Sequence, residues 1–163
     1  MNNAVKDQEC CPEFDPESWD AKTNVWVDKP FIRDYLPQFL HMPLPSMMGK
    51  VIGRMWKKAQ DAGAASELKD FLLLAYDPSP WKSELYMNVI REVPGAENVK
   101  LSGNFASKVY DGPYNHVPKY LKDFEKYLAA DNKKVKKYYF YYTSCPKCAK
   151  KYGHNYMVAF AEV

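Results

Sequence analysis

At residues 108–114 the sequence is Lys108-Val109-Tyr110-Asp111-Gly112-Pro113-Tyr114, and this stretch decides the predicted fold. Asp, Gly and Pro in succession are typical of a tight turn, which here follows a strand. After Asn115 the apolar residues change to helical spacing, and Pro118 is tolerated in a first helical turn. The apolar positions of this helix are Val117, Tyr120, Leu121, Phe124, Tyr127 and Leu128. The stretch therefore predicts a strand, a turn and an amphipathic helix.

The same arrangement occurs about 70 residues earlier in the chain. Residues 39–46 indicate a strand end, a proline turn and a helix start, and apolar residues at helical spacing follow from Met48 to Ala59. Two apolar runs come after each helix, at 71–76 and 85–93 in the first copy and at 138–142 and 156–163 in the second. We therefore predict an internal duplication of a β-α-β-β unit.

Length and composition indicate one globular domain. The chain has 163 residues, of which 47% are hydrophobic and 15% aromatic, enough to bury a core. We expect this domain at residues 23–163, with one repeat at about 23–93 and the other at about 98–163. Residues 1–22 are a polar, proline-containing extension, which we expect to pack on the domain.

Charge and hydropathy argue against several classes of protein. The net charge of +3 is too small to indicate nucleic-acid binding. No apolar run approaches the length of a membrane span. Residues 1–9 lack the basic start and apolar core of a signal peptide. We therefore expect a cytoplasmic protein, monomeric or homodimeric, without a nucleic-acid or membrane partner.

The ordered duplication, the turn at residues 110–114 and the Asp77-Pro78 strand end resemble the GyrI-like family. That family includes effector-binding domains of multidrug-responsive transcription activators and stand-alone small-molecule binders, some of which hydrolyse cyclopropane-bearing DNA-alkylating toxins. The resemblance extends over residues 25–163. It implies an α+β fold of duplicated β-α-β-β units, with a curved antiparallel sheet, two main helices on one side of it and a central cleft.

The resemblance also implies an acidic residue on a strand at the cleft floor, among aromatic side chains. The second-repeat position expected to hold it is Asn155, which is not acidic, and the first-repeat counterpart is Glu84. If Glu84 faces the cleft, apolar walls raise its pKa and it can serve as the catalytic general base. The alternative is that Glu84 begins a strand at the solvent edge.

Aromatic residues are the second group of candidates. In the strand at 138–142, alternation places Tyr139 and Tyr141 on one face and the other three rings opposite. One set is expected beneath the helices and the other in the cleft. The candidate ligand-binding residues are Trp26, Trp81, Tyr86, Tyr110, Tyr114, His116, Tyr139, Tyr141, Asn155 and Tyr156. Together they favour a flat apolar or cationic ligand, although core packing is the alternative for each.

Cys145-Pro146-Lys147-Cys148 is the most specific chemical motif in the sequence. Two thiols at this spacing can chelate a metal or close a small disulfide. Cys10 and Cys11 can complete a set of four zinc ligands, with His41 or His154 as a substitute. The five residues after the second thiol are too few for the helix of a thioredoxin-type centre. No cofactor is certain: zinc is one alternative, and two reduced thiols in a turn are another.

The leading functional hypothesis is binding of small apolar or cationic aromatic compounds between the two repeats, extended to hydrolytic detoxification through Glu84 or a cleft tyrosine. One alternative is a thiol- or zinc-dependent protein centred on Cys145 and Cys148. The other is a protein-interaction module of the gyrase-inhibitor type. The sequence contains no phosphate-binding Gly-rich loop, no G-x-S-x-G motif and no helical H-E-x-x-H motif.

Overall fold

A computed structural model describes residues 14–143 and 146–163 of the chain. The strands in these residues are β1 (Lys22–Phe39), β2 (Met42–Pro43), β3 (Leu73–Ser79), β4 (Lys82–Asn88), β5 (Glu97–Asp111), β6 (Lys137–Tyr142) and β7 (Tyr156–Glu162). The helices are α1 (Pro45–Asp61), α2 (Val117–Ala130) and the short α3 (Pro146–Tyr152). The predicted β-α-β-β unit thus occurs twice. No helix in this part of the chain is long and apolar enough to cross a bilayer.

The strands form one antiparallel sheet that closes into a barrel. Their order is β2-β1-β4-β3-β6-β7-β5, and β1 also pairs with β5. The two repeats meet again where Ala75 of β3 pairs with Phe140 of β6. The long strands β1 and β5 make this closure possible. Strand β1 pairs with β4 and β5, and β5 pairs with β1 and β7. The predicted curved antiparallel sheet is confirmed, and the second contact between the repeats closes it into a barrel.

Strand β1 is long and irregular. Pro30 lies within it, and residues on both sides of Pro30 pair with β5. The irregularity lies between Trp26 and Lys29, where the register shifts and Asp28 has a φ of +48°. A bulge of this kind increases strand twist, which favours barrel closure.

Each main helix packs on the outer face of the barrel. From α1, the apolar side chains of Val51, Met55 and Ala59 are buried against residues of β1 and β4. From α2, Phe124 and Leu128 are buried against β5, β6 and β7. The apolar spacing that predicted both helices is therefore the spacing of the residues that face the sheet.

Aromatic rings fill the middle of the barrel. Tyr138 and Phe140 pack toward α2, whereas Tyr139 and Tyr141 face inward, so the predicted alternation is confirmed. The buried inner cluster consists of Phe31, Leu72, Leu74, Tyr86, Phe105, Tyr139, Tyr141, Val158 and Phe160. Trp19, from the segment ahead of β1, lies with its ring centroid 5.5 Å from that of Phe160. Side chains of the protein itself therefore occupy the place where the sequence predicted a central cleft.

Two exposed glycines in α1 allow a test of helix propensity. Gly49 and Gly53 are solvent-exposed, and a Cβ added at either position meets no atom within 4 Å. We expect Gly49→Ala and Gly53→Ala to raise the free energy of unfolding by about 0.5–1 kcal/mol each, because glycine is a poor helix former. Urea denaturation of the single variants measures the change.

Gly95 supplies a control for this prediction. It also has open space around it, but its φ of +78° disfavours any residue with a Cβ. Gly95→Ala should therefore lower stability. Equal shifts for all three variants would contradict the helix-propensity explanation.

Candidate functional site

Four polar side chains meet on the inner face of the barrel, close to the ends of several strands. Glu84 and Tyr86 come from β4, Arg33 from β1, and Lys137 is the first residue of β6. The side chain of Glu84 is only 16% exposed and that of Lys137 26% exposed. We call these four residues the inner polar cluster. A carboxylate and two cations held this far from solvent are unusual unless they serve a structural or chemical role.

Glu84 is the carboxylate of the inner polar cluster. Its place in the sheet is set by pairing with Tyr35 of β1 and Tyr76 of β3. The Tyr86 hydroxyl donates a hydrogen bond of 2.5 Å to Glu84 Oε2. Lys137 Nζ lies 4.0 Å from the same oxygen. The expected apolar walls around Glu84 are therefore replaced by a phenol and an ammonium group.

Lys137 lies among tyrosine rings. Its Nζ is 3.8 Å from the ring centroid of Tyr76, 5.1 Å from that of Tyr139 and 5.4 Å from that of Tyr86. It also donates a hydrogen bond of 3.4 Å to the Tyr86 hydroxyl. Burial lowers the pKa of Lys137, although the nearby charge of Glu84 acts in the opposite direction.

Arg33 is the second cation of the cluster. Its Nη2 donates to Glu97 Oε1, and hydrogen bonds with Glu97 and then Tyr86 raise the pKa of the guanidinium group. Arg33 Nε is buried and has no hydrogen-bond partner in the described part of the chain. An unsatisfied buried donor costs free energy, and a ligand oxygen or an ordered water can relieve that cost.

Tyr86 of the inner polar cluster and the neighbouring Tyr139 remain protonated at neutral pH. Burial, followed by the hydrogen bond with Glu84, raises the pKa of Tyr86 to about 12. Burial also raises the pKa of Tyr139. Because a protonated phenol donates, Tyr86 fixes the position of the Glu84 carboxylate. The cluster therefore combines one carboxylate that can accept a proton with three groups that can stabilise negative charge.

Comparison with known proteins gives a family and a fold. The model of the family described as "Bacterial hydrolase" matches residues 1–163. The chain belongs to this bacterial hydrolase family. No curated protein matches the chain in sequence. The residues matched by the family model include both repeats and the N-terminal segment of this chain.

Three solved structures have the same fold as this bacterial hydrolase family member. The EcmrR C-terminal domain has a TM-score of 0.66 at 10% identity, over 88% of this chain and 96% of that one. An uncharacterized conserved protein from Listeria innocua has a TM-score of 0.62 at 8% identity, over 88% and 93%. A hydrolase encoded by lin2189 from Listeria innocua has a TM-score of 0.55 at 8% identity, over 89% and 93%. At such identities the likeness shows the fold alone.

Several predicted ligand-binding residues share the inner face with Glu84. Tyr86 and Tyr139 contact the inner polar cluster directly. Trp26 lies farther along the barrel, stacked on Phe105 with ring centroids 4.2 Å apart. Tyr141 is buried and donates a hydrogen bond of 3.1 Å to the carbonyl of Phe71. Trp26 and Tyr141 therefore have packing partners within the barrel, whereas Tyr86 and Tyr139 border the charged groups.

Tyr110 was expected in the cleft, and its position in the structure contradicts that expectation. It lies on the outer face of β5, in the cluster beneath α2. Its hydroxyl donates a hydrogen bond of 2.7 Å to Asp123, and its ring stacks on Tyr120 at 4.7 Å between centroids. Neighbouring residues of a strand face opposite sides, so Val109 rather than Tyr110 faces inward.

Three other predicted ligand-binding residues lie outside the barrel interior. Trp81 is 59% exposed at the turn between β3 and β4, with its ring centroid 5.7 Å from that of Phe39. Tyr114 and His116 form the short 3-10 helix before α2, where the Tyr114 ring lies 5.6 Å from Tyr142. Neither of these two ring contacts involves a residue of the inner polar cluster.

Asn155 is not the structural counterpart of Glu84. Glu84 pairs with Tyr76, one residue beyond the β3–β6 contact. Val158 pairs with Tyr141, one residue beyond the same contact in the second repeat. The register therefore makes Val158 the second-repeat equivalent of Glu84, and Asn155 precedes β7. At this position of the inner face, only the first repeat has an acidic residue.

Asn155 and Tyr156 lie where β5 ends and β7 begins. The Asp111 carboxylate accepts a hydrogen bond of 2.9 Å from the backbone N–H of Asn155, and its other oxygen lies 2.8 Å from His154 Nδ1. The Tyr156 ring stacks on His154 at 4.9 Å between centroids and lies 5.5 Å from Phe14. This arrangement ties the end of β5 to the start of β7.

The Asp111 contacts predict a pH-dependent contribution to stability. Burial alone would raise the pKa of Asp111, but the hydrogen bonds with His154 and Asn155 outweigh it, and the pKa is lowered. Asp111→Asn should lower the free energy of unfolding by about 1 kcal/mol at neutral pH, a modest value because the carboxylate is 43% exposed. This difference should be present above about pH 4 and disappear as the pH falls through the lowered pKa.

Urea denaturation of both proteins between pH 3 and pH 7 checks this prediction, and Asp131→Asn is the surface control. Asp131 is 58% exposed and lies 3.9 Å from a lysine. A difference between wild type and Asp111→Asn that grows as the pH falls would contradict the assigned sign.

The cysteine motif lies only partly within the described residues. Cys10, Cys11 and Cys145 lie outside them, so the predicted metal set stays a prediction. Cys148 is buried in α3, which spans Pro146–Tyr152. This helix has seven residues and ends four residues after Cys148, so the expectation that too few residues follow for the helix of a thioredoxin-type centre stays a prediction. Among the described residues, no group of three or more His, Cys, Asp or Glu side chains is placed to hold a metal ion.

Sequence reasoning missed both cations of the inner polar cluster. Lys137 ends the run Lys133-Lys134-Val135-Lys136-Lys137, a pattern typical of a solvated loop, and Arg33 lies in a strand segment that gives no functional signal. The alternation that places Tyr139 inward also places Lys137 inward, since the two are two positions apart. That pattern was available in the sequence and predicts the position of Lys137.

Proposed function

We propose that this chain binds a small organic molecule over the inner polar cluster and hydrolyses it, with Glu84 as the general base. The observation that carries the proposal is the Glu84 carboxylate itself. It is largely buried, fixed by a 2.5 Å hydrogen bond from Tyr86, and placed beside a lysine. Membership in a family of hydrolases supports the choice of hydrolysis over binding alone.

The proposed step is activation of water by Glu84. The carboxylate accepts a proton from water as the water oxygen forms a bond with an electrophilic carbon of the substrate. Negative charge develops on the substrate oxygen, where Lys137 or the unpaired Nε of Arg33 can stabilise it. The bond between that carbon and the leaving group then breaks, and the leaving group takes up the proton held by Glu84, which restores the carboxylate.

The aromatic surroundings favour a small, largely apolar aromatic substrate. Tyr35, Tyr76 and Tyr139 border the cluster and offer ring faces. Rings bind flat apolar groups through packing and edge-to-face contacts. Because rings fill the middle of the barrel, the substrate is proposed to lie at the end that holds the inner polar cluster.

A panel of chromogenic substrates tests the proposed hydrolysis. The purified chain is incubated with p-nitrophenyl esters of acids of increasing size and with aryl epoxides, and product release is measured against buffer alone. We expect saturable hydrolysis of at least one aromatic substrate, together with a raised melting temperature in the presence of a non-hydrolysable analogue. Hydrolysis that is linear in substrate and unaffected by substitution of Glu84 would contradict the proposal.

A further inference from the structure

The environment of Lys137 has the composition of a cation-binding site. Three tyrosine ring centroids lie within 5.4 Å of Nζ, and the Glu84 carboxylate lies at 4.0 Å. Aromatic rings combined with a carboxylate are the groups that bind ammonium and quaternary ammonium ligands. We call the rings of Tyr76, Tyr86 and Tyr139 the tyrosine cage. In this chain, the cage already contains a cation, and the protein supplies it.

We propose that Lys137 is the resident cation of the tyrosine cage and that it sets the specificity of the site by excluding cationic ligands. The proposal deepens the proposed function, because it concerns which molecules the same site admits. It assigns the site to neutral or anionic substrates, and it differs in this from the sequence expectation, in which cationic aromatic compounds were included.

Tethering explains why a free cation does not replace Lys137. The ammonium group is attached to the first residue of β6, so it competes for the cage at a high effective concentration. A ligand cation must either displace it or lie beside it. Displacement forfeits the ring contacts of Lys137 and moves its ammonium group away from Glu84, whereas coexistence places like charges together in a poorly solvated site.

The remaining charges near the cage do not favour a second cation. Arg33 lies on the same inner face and contributes a second positive charge near Lys137. Glu97 forms an ion pair with Arg33. Glu162 lies opposite Lys137 in the strand pairing of β7 with β6. Glu84 is therefore the carboxylate that faces the cage most directly, and Lys137 lies next to it.

Removal of the Lys137 ammonium should create a site for a ligand cation. The test measures binding of phenyltrimethylammonium by isothermal titration calorimetry to wild type, Lys137→Ala and Lys137→Gln. We expect at least a tenfold gain in affinity for both variants and no gain for Lys137→Arg, which keeps the charge. Adding Tyr76→Leu to Lys137→Ala should remove the gain, since Tyr76 supplies the nearest ring.

Two controls separate the charge of Lys137 from other effects. Lys136→Ala removes an exposed lysine next to it in sequence and should leave affinity unchanged. The uncharged analogue tert-butylbenzene should show a smaller gain than the cation, because it cannot interact with Glu84. Because three substitutions of Lys137 are measured, to Ala, Gln and Arg, misfolding of one variant does not decide the result.

Three results would overturn the proposal. They are equal affinity of wild type and both variants for the cation, an equal gain for Lys136→Ala, and an equal gain for the uncharged analogue. The assay measures binding without turnover. Failure of the hydrolysis screen would therefore count against the proposed reaction and leave this test of the cage unaffected.

Discussion

Glu84→Gln is expected to lower the rate of hydrolysis by about 10²–10⁴-fold, the contribution typical of a general base. Glutamine keeps the size of the side chain and an oxygen that can accept the hydrogen bond from Tyr86. It cannot accept a proton from water at neutral pH. The variant should therefore bind substrate with similar affinity while the catalytic rate falls, which steady-state kinetics and calorimetric binding measure separately.

Glu92→Gln is the matched control for this prediction. Glu92 is exposed between β4 and β5, and its substitution by glutamine changes the net charge by the same amount as Glu84→Gln. Its rate should stay within about twofold of wild type, as expected for a surface substitution. If Glu84→Gln retained the full catalytic rate with an intact fold by circular dichroism, Glu84 would not be the base. If both variants lost activity equally, the loss would reflect charge alone.

Local patterns in the sequence were sufficient to predict the elements of the fold. Helical spacing in residues 117–128 and the proline turns before α1 and α2 report contacts within a few residues, which the sequence displays directly. Closure of the barrel depends on pairing between β1 and β5, strands whose paired residues lie more than 60 positions apart. No local signal encodes such a pairing, so the sequence predicted the curved sheet but not its closure into a barrel.

The site was predicted less well than the fold, and the errors have a common cause. A strand places consecutive residues on opposite faces, so an assignment shifted by one residue moves a side chain out of the site. Tyr110 was misplaced in this way. Lys137 and Arg33 were missed because charged residues are normally assigned to the surface. Glu84 was named through the family resemblance, and composition alone would not have distinguished it from other glutamates.

Phe160→Ala should cost about 3–5 kcal/mol of unfolding free energy, the range for removal of a fully buried phenylalanine. Phe160 is 0% exposed. Its ring centroid lies 5.5 Å from that of Trp19 and 5.8 Å from that of Trp26, so the substitution leaves a cavity bounded by rigid rings. Equilibrium denaturation in urea, followed by tryptophan fluorescence and by circular dichroism, measures the loss and checks two-state behaviour.

The size of this loss distinguishes a filled barrel from a barrel with an open cleft. In an open cleft, water already contacts the Phe160 ring, and truncation removes only part of its burial. Phe39→Ala represents that case, because Phe39 is 60% exposed and should cost less than about 1 kcal/mol. A Phe160→Ala loss as small as that of Phe39→Ala would mean that the interior is accessible to solvent. In that case, the place for a substrate would extend from the inner polar cluster toward Trp26 and the middle of the barrel.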